Sequence, residues 1–345
     1  FSPQPETLKY LNYVTDKFDL RRYMQFNCTV EAMTFNEATD TWTLELQDGR
    51  TLRCHYVITA IGVLSIPTMP QIEGMDRFEG LSFHPANWPH DPPDLSGKRV
   101  AIIGTGATAI QIIPEVAKEA AELIVFQRRP NWAAPLNNRP ISEEEMAEIR
   151  ERYDDIFARC ARSPGGFEHE PDRRGFYNVP RQERLELWDR LYDGPGFGIW
   201  LQNFTEIFMD EDANAEFSDY IADRIRQRVD DPELAEKLIP KDHGFGIQRV
   251  PLESGYFEAY NRDNVVLVDA AETPIERITP AGVRTSDGIE REVDIIVYAT
   301  GFDAFTGPFD RIDIQGTSGQ KLRTKWVDGP VTYLGLTVHG FPNLL

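Results

Sequence analysis

The sequence predicts an α/β protein of about two domains, with a helical insertion interrupting the second, and three observations predict it. Its 345 residues exceed one domain at the usual ~150 residues each. Short, nearly uninterrupted apolar runs end in glycine turns, as strands covered on both faces do. Between residues 141 and 240 the pattern changes to long, charged helical segments carrying 13 basic and 25 acidic residues.

The elements follow in order. Residues 5–26 read as a helix, because Leu8, Leu11, Val14 and Phe18 recur at three- and four-residue spacing. Residues 29–35, 41–46 and 51–60 read as strands, with a turn at Asp48-Gly49, and the apolar run Tyr56 to Gly62 reads as a strand buried on both faces. The segment Ile66 to Pro70 is a proline break. A second α/β unit begins with a buried strand at 99–103, a glycine turn, a helix over 107–121 and a strand at 123–126. After the insertion the α/β pattern resumes at 265–268 and 293–301.

Composition narrows the function classes. With 41% hydrophobic and 27% charged residues the chain is globular rather than disordered or fibrous. A formal net charge of −20 opposes any broad surface for nucleic acid or anionic membrane, so no partner of either kind is expected. Cys28, Cys54 and Cys160 form neither a zinc pattern nor a redox pair nor a disulfide framework; no metal site is expected, and a reducing, cytoplasmic compartment fits best. The stretch from Cys54 to Ile72 lacks Asp, Glu, Lys and Arg, but His55, Gly62, Pro67 and Pro70 interrupt it, so no membrane span is expected. The opening at Phe1 without a Met and the apolar close at Leu345 lead us to expect that both ends are cuts.

Gly104-Thr105-Gly106-Ala107-Thr108-Ala109 fits the G-x-G-x-x-G/A turn of dinucleotide sites. The first glycine makes the turn, the second lets pyrophosphate approach the backbone, and Ala109 permits close helix packing, with the phosphates at the positive end of the following helix. Gly104, Thr105, Gly106, Ala107, Thr108 and Gln111 are therefore candidate cofactor contacts. The next strand ends in Arg128-Arg129, where an NAD site would usually carry an acid; arginines there suit a 2′-phosphate and point to NADP.

Just upstream, Phe78, Gly80, His84, Trp88 and Pro89 spell F-x-G-x-x-x-H-x-x-x-W-P, a coincidence expected on the order of once in 10⁵ such chains. It resembles the fingerprint of the flavin-dependent Baeyer–Villiger monooxygenases, and the resemblance continues through Phe245-Gly246-Ile247-Gln248-Arg249, Asn261 to Val265, and Ala299-Thr300-Gly301-Phe302-Asp303. It implies two Rossmann-like dinucleotide-binding domains, one for FAD and one for NADP(H), with the FAD part incomplete here. The implied boundaries are residues 1–62 for the partial FAD domain, 63–140 and 241–298 for the NADP domain, 141–240 for its helical insertion, and 299–345 for the return to the FAD domain.

The resemblance also implies an activity: NADPH, O₂ and a ketone give an ester or lactone, with Arg249 steadying developing negative charge as an always-protonated planar fork. Ala299, Thr300, Gly301 and Phe302 would be connectors beside the cofactors, and Gly62 and Gly301 hinges, though Gly62 equally fits a plain strand end. Gln248 stands where many relatives carry lysine, which leaves NADP selectivity to Arg128 and Arg129. His84 would be a hydrogen-bonding linker and Trp88 a packing residue. The insertion would form a lid whose inner face shapes ketone access. Two alternatives stay open, a heteroatom-oxidising flavin monooxygenase and, for this chain by itself, an NADP-binding module without activity. The oligomeric state is unknown.

Overall fold

A computed structural model describes residues 2–163 and 165–345; Phe1 and Pro164 lie outside the described residues. The chain forms two compact units, one from the segments up to Thr68 and from Gly301 to Leu345, the other from Met69 to Thr300.

In the first unit, helix α1 (Gln4–Lys17) is shorter than its apolar spacing predicts. Asp19 takes a left-handed conformation with φ +50°, which no helix continues through, and only a 3-10 turn at Arg21–Tyr23 follows. Strands β1 (Val30–Asn36), β2 (Thr41–Leu46) and β3 (Thr51–Cys54) form an antiparallel meander, and Asp313–Gln315 adds to β1 in parallel. Met33, Phe35, Trp42, Ile314 and Phe341 share its core. The Trp42 Nε1 donates to the Pro342 carbonyl at 2.8 Å, so the indole is buried without an orphaned donor.

The expected strand through residue 60 ends at Cys54, and the run Tyr56 to Gly62 is not a strand covered on both faces. Only Val57 is buried, while Tyr56 and Ile58 are exposed. Its backbone bonds instead to the last residues, Val57 N to Asn343 O and Leu345 N to Val57 O, both at 2.9 Å. An apolar run is thus extended backbone with one paired edge, because no second neighbour flanks it among the described residues. Gly62 and Gly301 have φ of +75° and +86° with open space at the Cβ position, so backbone conformation rather than crowding favours glycine at both.

The second unit is built on a five-stranded parallel sheet. Its strands are β4 (Leu81–Phe83), β5 (Arg99–Ile103), β6 (Glu122–Gln127), β9 (Val265–Asp269) and β13 (Ile295–Tyr298), in the order β4-β13-β5-β6-β9. Between β6 and β9 the short strands β7 (Ala134–Pro135) and β8 (Leu252–Glu253) pair, and β10 (Ile275–Ile278), β11 (Gly282–Thr285) and β12 (Glu290–Glu292) form an antiparallel meander before β13.

Alternation along β5 and β6 splits the core. Ala101, Ile103, Ile124 and Phe126 face Ile278, Val283 and Val293, whereas Val100, Ile102, Leu123 and Val125 face helix α2 (Ala107–Glu119). That second core runs on without a break into the insertion, whose helices are α3 (Glu143–Glu151), α4 (Tyr153–Arg162), α5 (Arg181–Asp193), α6 (Gly198–Leu201), α7 (Glu211–Arg228) and α8 (Pro232–Leu238). Trp188 of α5 and Phe217 and Ile221 of α7 belong to the same cluster as Val100 and Ile113. Ser142, Asp210 and Asp231 accept from first-turn amides of α3, α7 and α8, so the acidic composition begins helices as well as solvating them.

Candidate cofactor and active site

The glycine turn lies at the carboxyl end of β5, where the chain's path through the sheet reverses: β6 and β9 lie on one side and β13 on the other. In open α/β sheets this is the crevice where ligands bind. Gly104 has φ +105°, and a Cβ there would lie 2.5 Å from the Ala299 carbonyl, so the turn is pressed against the segment that leaves β13. Gly106 differs: its φ is −78° and nothing stands within 4 Å of its Cβ position. It begins α2, and no side chain caps that end. A bare, exposed glycine ahead of uncapped helical amides is the cradle a pyrophosphate requires. Ala109, at the third position of the motif, is fully buried.

Thr105 is buried and its hydroxyl donates to the Arg129 carbonyl at 2.9 Å, so its side chain joins the glycine turn to the arginine pair and only its backbone is left to meet a ligand. Ala107 and Thr108 are half-buried in the first turn of α2, and the exposed Gln111 amide folds back on the Ala107 carbonyl at 2.9 Å. Arg128 and Arg129 are both exposed. Arg128 has no carboxylate partner among the described residues. Arg129 Nη2 meets Asp242 Oδ2 at 2.5 Å. The other Asp242 oxygen lies 2.6 Å from Nδ1 of His243, whose side chain is only 5% exposed. That hydrogen bond first, and Arg129 after it, hold the Asp242 carboxyl below its usual range.

Arg249 is exposed and without a charged partner among the described residues, but the loop that carries it is closely held. Asn214 of α7 donates to the carbonyls of Ile207 at 2.6 Å and Phe245 at 2.8 Å, and Ser218 accepts from Phe245 N at 2.9 Å. A Cβ on Gly244 would lie 1.7 Å from Asn214 Oδ1, and one on Gly246, already at φ +84°, 2.6 Å from the Phe208 ring. Phe245 is buried against Trp132 and Phe217, and Trp132 Nε1 donates to the His243 carbonyl at 3.0 Å. A free guanidinium thus stands on a rigid mount, which suits it to meet negative charge without reorganising. Between α7 and this loop lies a cavity of about 590 Å³, lined by Trp132, Phe208, Ser218, His243 and Ile247 among others. Gln248, next to Arg249, is exposed.

The fingerprint residues shape the start of the sheet. Gly80 admits the Asp294 carbonyl, 2.4 Å from where a Cβ would be, as β4 is laid beside β13. His84 is buried, and its Nδ1 accepts from Ala86 N at 3.1 Å, capping the turn Pro85–Asn87. Trp88 packs edge-on to Phe83 at 4.8 Å, while Phe78 and Pro89 are half-buried. Ala299 is buried and Thr300 half-buried at the end of the second unit; Gly301 and Phe302 belong to the first.

The structure therefore brings together the turn at Gly104, the Arg128-Arg129 pair and Ala299, and ties the Arg249 loop to that group through Trp132 and His243. Sequence reasoning missed Asn214, Ser218, Asp242 and His243. The last two adjoin the glycine-rich loop and were within reach; Asn214 and Ser218 lie 31 and 27 residues upstream of Phe245 and carry no signal of their own. Among the described residues no cluster of potential ligands could hold a metal and no helix is long and apolar enough to cross a membrane. All three cysteines are free.

Comparison with known proteins adds to this geometry. The pyridine nucleotide-disulphide oxidoreductase family model matches residues 2–162. The chain is 46% identical to 2-oxo-Δ3-4,5,5-trimethylcyclopentenylacetyl-CoA monooxygenase of Pseudomonas putida, over 99% of this chain and 64% of that protein. It is 40% identical to acetone monooxygenase (methyl acetate-forming) of Gordonia sp. (strain TY-5), over 100% of this chain and 64% of that one. A crystal structure of OTEMO in complex with FAD and NADP superimposes with a TM-score of 0.97 at 46% identity, over 100% of this chain and 66% of that chain. The chain thus spans slightly less than two thirds of the relatives it matches.

Proposed function

We propose that this chain, which over the length it spans belongs to the Baeyer–Villiger monooxygenase family, forms the NADP(H)-binding and arginine-bearing part of an enzyme that inserts one oxygen atom of O₂ next to a ketone carbonyl. The product is an ester or lactone. The observation that carries the reading is the junction at the carboxyl end of β5, where a bare Gly106 and uncapped helical amides stand beside Arg128, with the Arg249 loop joined to it through Trp132 and His243; neither arginine has a charged partner among the described residues.

NADP(H) fits the residues present. The amides at the start of α2 would hold the pyrophosphate and Arg128 with Arg129 the 2′-phosphate. When bound, NADPH supplies a hydride that FAD passes to O₂ as electrons. Arg249 holds a permanent positive charge and two parallel donors toward the oxygen that becomes negative when the ketone carbonyl is attacked. The cavity between α7 and the Arg249 loop is our candidate for the non-reacting part of the ketone. Three unpaired cysteines favour a reducing cytoplasmic compartment.

Two measurements test this. Titrating the protein with NADPH and NADH should show preference for NADPH, and replacing Arg128 and Arg129 together by Ala should erase it; equal affinities in the wild type sink the cofactor assignment. With FAD and a model ketone added, Arg249→Ala should lower ester formed by about 10² to 10³ or more while NADPH still binds. Ester formation near the wild-type rate removes Arg249 from the chemistry.

A further inference from the structure

The two arginines after β6 are not equivalent. Among the described residues Arg128 has no carboxylate partner, whereas Arg129 already spends one terminal N–H group on Asp242. That carboxylate is itself fixed, because its second oxygen is bonded to His243, a side chain only 5% exposed whose carbonyl accepts from the buried Trp132 indole. Asp242 is therefore held on both of its oxygens rather than on one, and any ligand that takes Arg129 fully must displace an anchored anion. We propose that Asp242 is a built-in competitor for the cofactor's 2′-phosphate, one that sets how tightly NADP(H) is held by occupying Arg129 until the phosphate arrives. This rests on the reading of Arg128 and Arg129 as the 2′-phosphate site.

The device has a plain physical basis. A phosphate dianion near Arg129 gains a charge-assisted bond but first loses the existing Arg129–Asp242 pair. NADH carries no 2′-phosphate and is indifferent to both effects. Asp242 is consequently a specificity-determining residue, acting only on the phosphorylated cofactor. Arg128, with nothing to surrender, carries the standing attraction, so Arg128→Ala should cost more selectivity than Arg129→Ala.

The test is fluorescence titration of the purified chain with NADPH and NADH. Asp242→Asn keeps the shape and the oxygen that His243 bonds but removes the charge. It should tighten NADPH by about three- to tenfold and leave NADH within about twofold. In the Arg129→Ala background the same substitution should give no gain, because nothing remains to be released. Unchanged or weaker NADPH binding by Asp242→Asn overturns the proposal, as does a gain that persists without Arg129, which would be a general charge effect. Asp242→Ser, judged by the same criteria, guards against a variant that folds poorly. A wild-type chain that binds both cofactors equally fails the 2′-phosphate reading itself and the proposal with it; wild-type preference erased by Arg128→Ala with Arg129→Ala, but untouched by Asp242→Asn, overturns the proposal alone.

Discussion

Helices α1 and α2 both show apolar residues at helical spacing, yet α2 buries six of its residues against the parallel sheet and α1 buries none. Leu8 and Leu11 of α1, and Phe18 just past its end, are all at least half exposed. The contrast extends to the units that hold them. In the second, sheet, α2 and insertion share one continuous core; in the first, a handful of residues around Trp42 form a small one. The difference teaches that periodicity dictates which face of a helix is apolar, while only a neighbouring surface turns that face into stability.

The largest expected effect tests whether the insertion is part of the sheet's core. Trp188→Ala removes a fully buried indole that packs 5.0 Å from Phe217 and donates to Asn203 at 2.9 Å. It should cost about 3–5 kcal/mol and lower hydrogen-exchange protection in β5 and β6 as well as in α5. Protection lost in the insertion alone would make it a separately folding lid and break the comparison.

Next comes Gly244→Ala, whose new Cβ would collide with Asn214 Oδ1. We expect a loss of about 1–3 kcal/mol in urea unfolding. Combining it with Asn214→Ala should cost less than the sum of the two separate changes, because the collision is gone. Strict additivity would mean that the loop is not seated on α7 as described.

A smaller effect is pH-dependent. Glu236, bonded to Arg226 at 2.6 Å and to Lys241, has its carboxyl pulled from 4.5 to about 2, by Arg226 first. A carboxyl depressed on folding contributes stability that is fully present above about pH 4.5 and lost as pH falls toward 2. The group is about half exposed, so the contribution should stay under about 1 kcal/mol. Glu236→Gln should lower stability by that amount at neutral pH and converge with the wild type as pH falls toward 2, flattening the acid limb over that window; an equal loss at every pH would contradict it.

The smallest effect belongs to the first unit. Leu11→Ala in the exposed stripe of α1 should change stability by no more than about 0.5 kcal/mol in the same unfolding experiment. A loss near 2 kcal/mol would show that α1 is covered in solution, and the contrast between the two helices would close.

The sequence by itself determined the elements whose signals are local. The parallel strands β5, β6 and β13 read as apolar runs because both their faces are buried, and the turn at Gly104 read as a strand-to-helix turn because its glycines sit between the two. The fingerprint from Phe78 to Pro89 carried the family resemblance for the same reason, as a dense cluster of fixed residue types. Tertiary structure alone decided what depended on distant partners. Tyr56 to Gly62 has the composition of a covered strand but lies extended with one paired edge, since composition does not say whether a second neighbour exists. Asn214 and Ser218 became supports of the Arg249 loop only when α7 was packed against it, about thirty residues away in sequence. Arg129 looked identical to Arg128 until folding placed Asp242, anchored by His243, against one and not the other. A side chain's charge is written in the sequence, but its partner is chosen by packing, and that choice separates a free cation from a committed one.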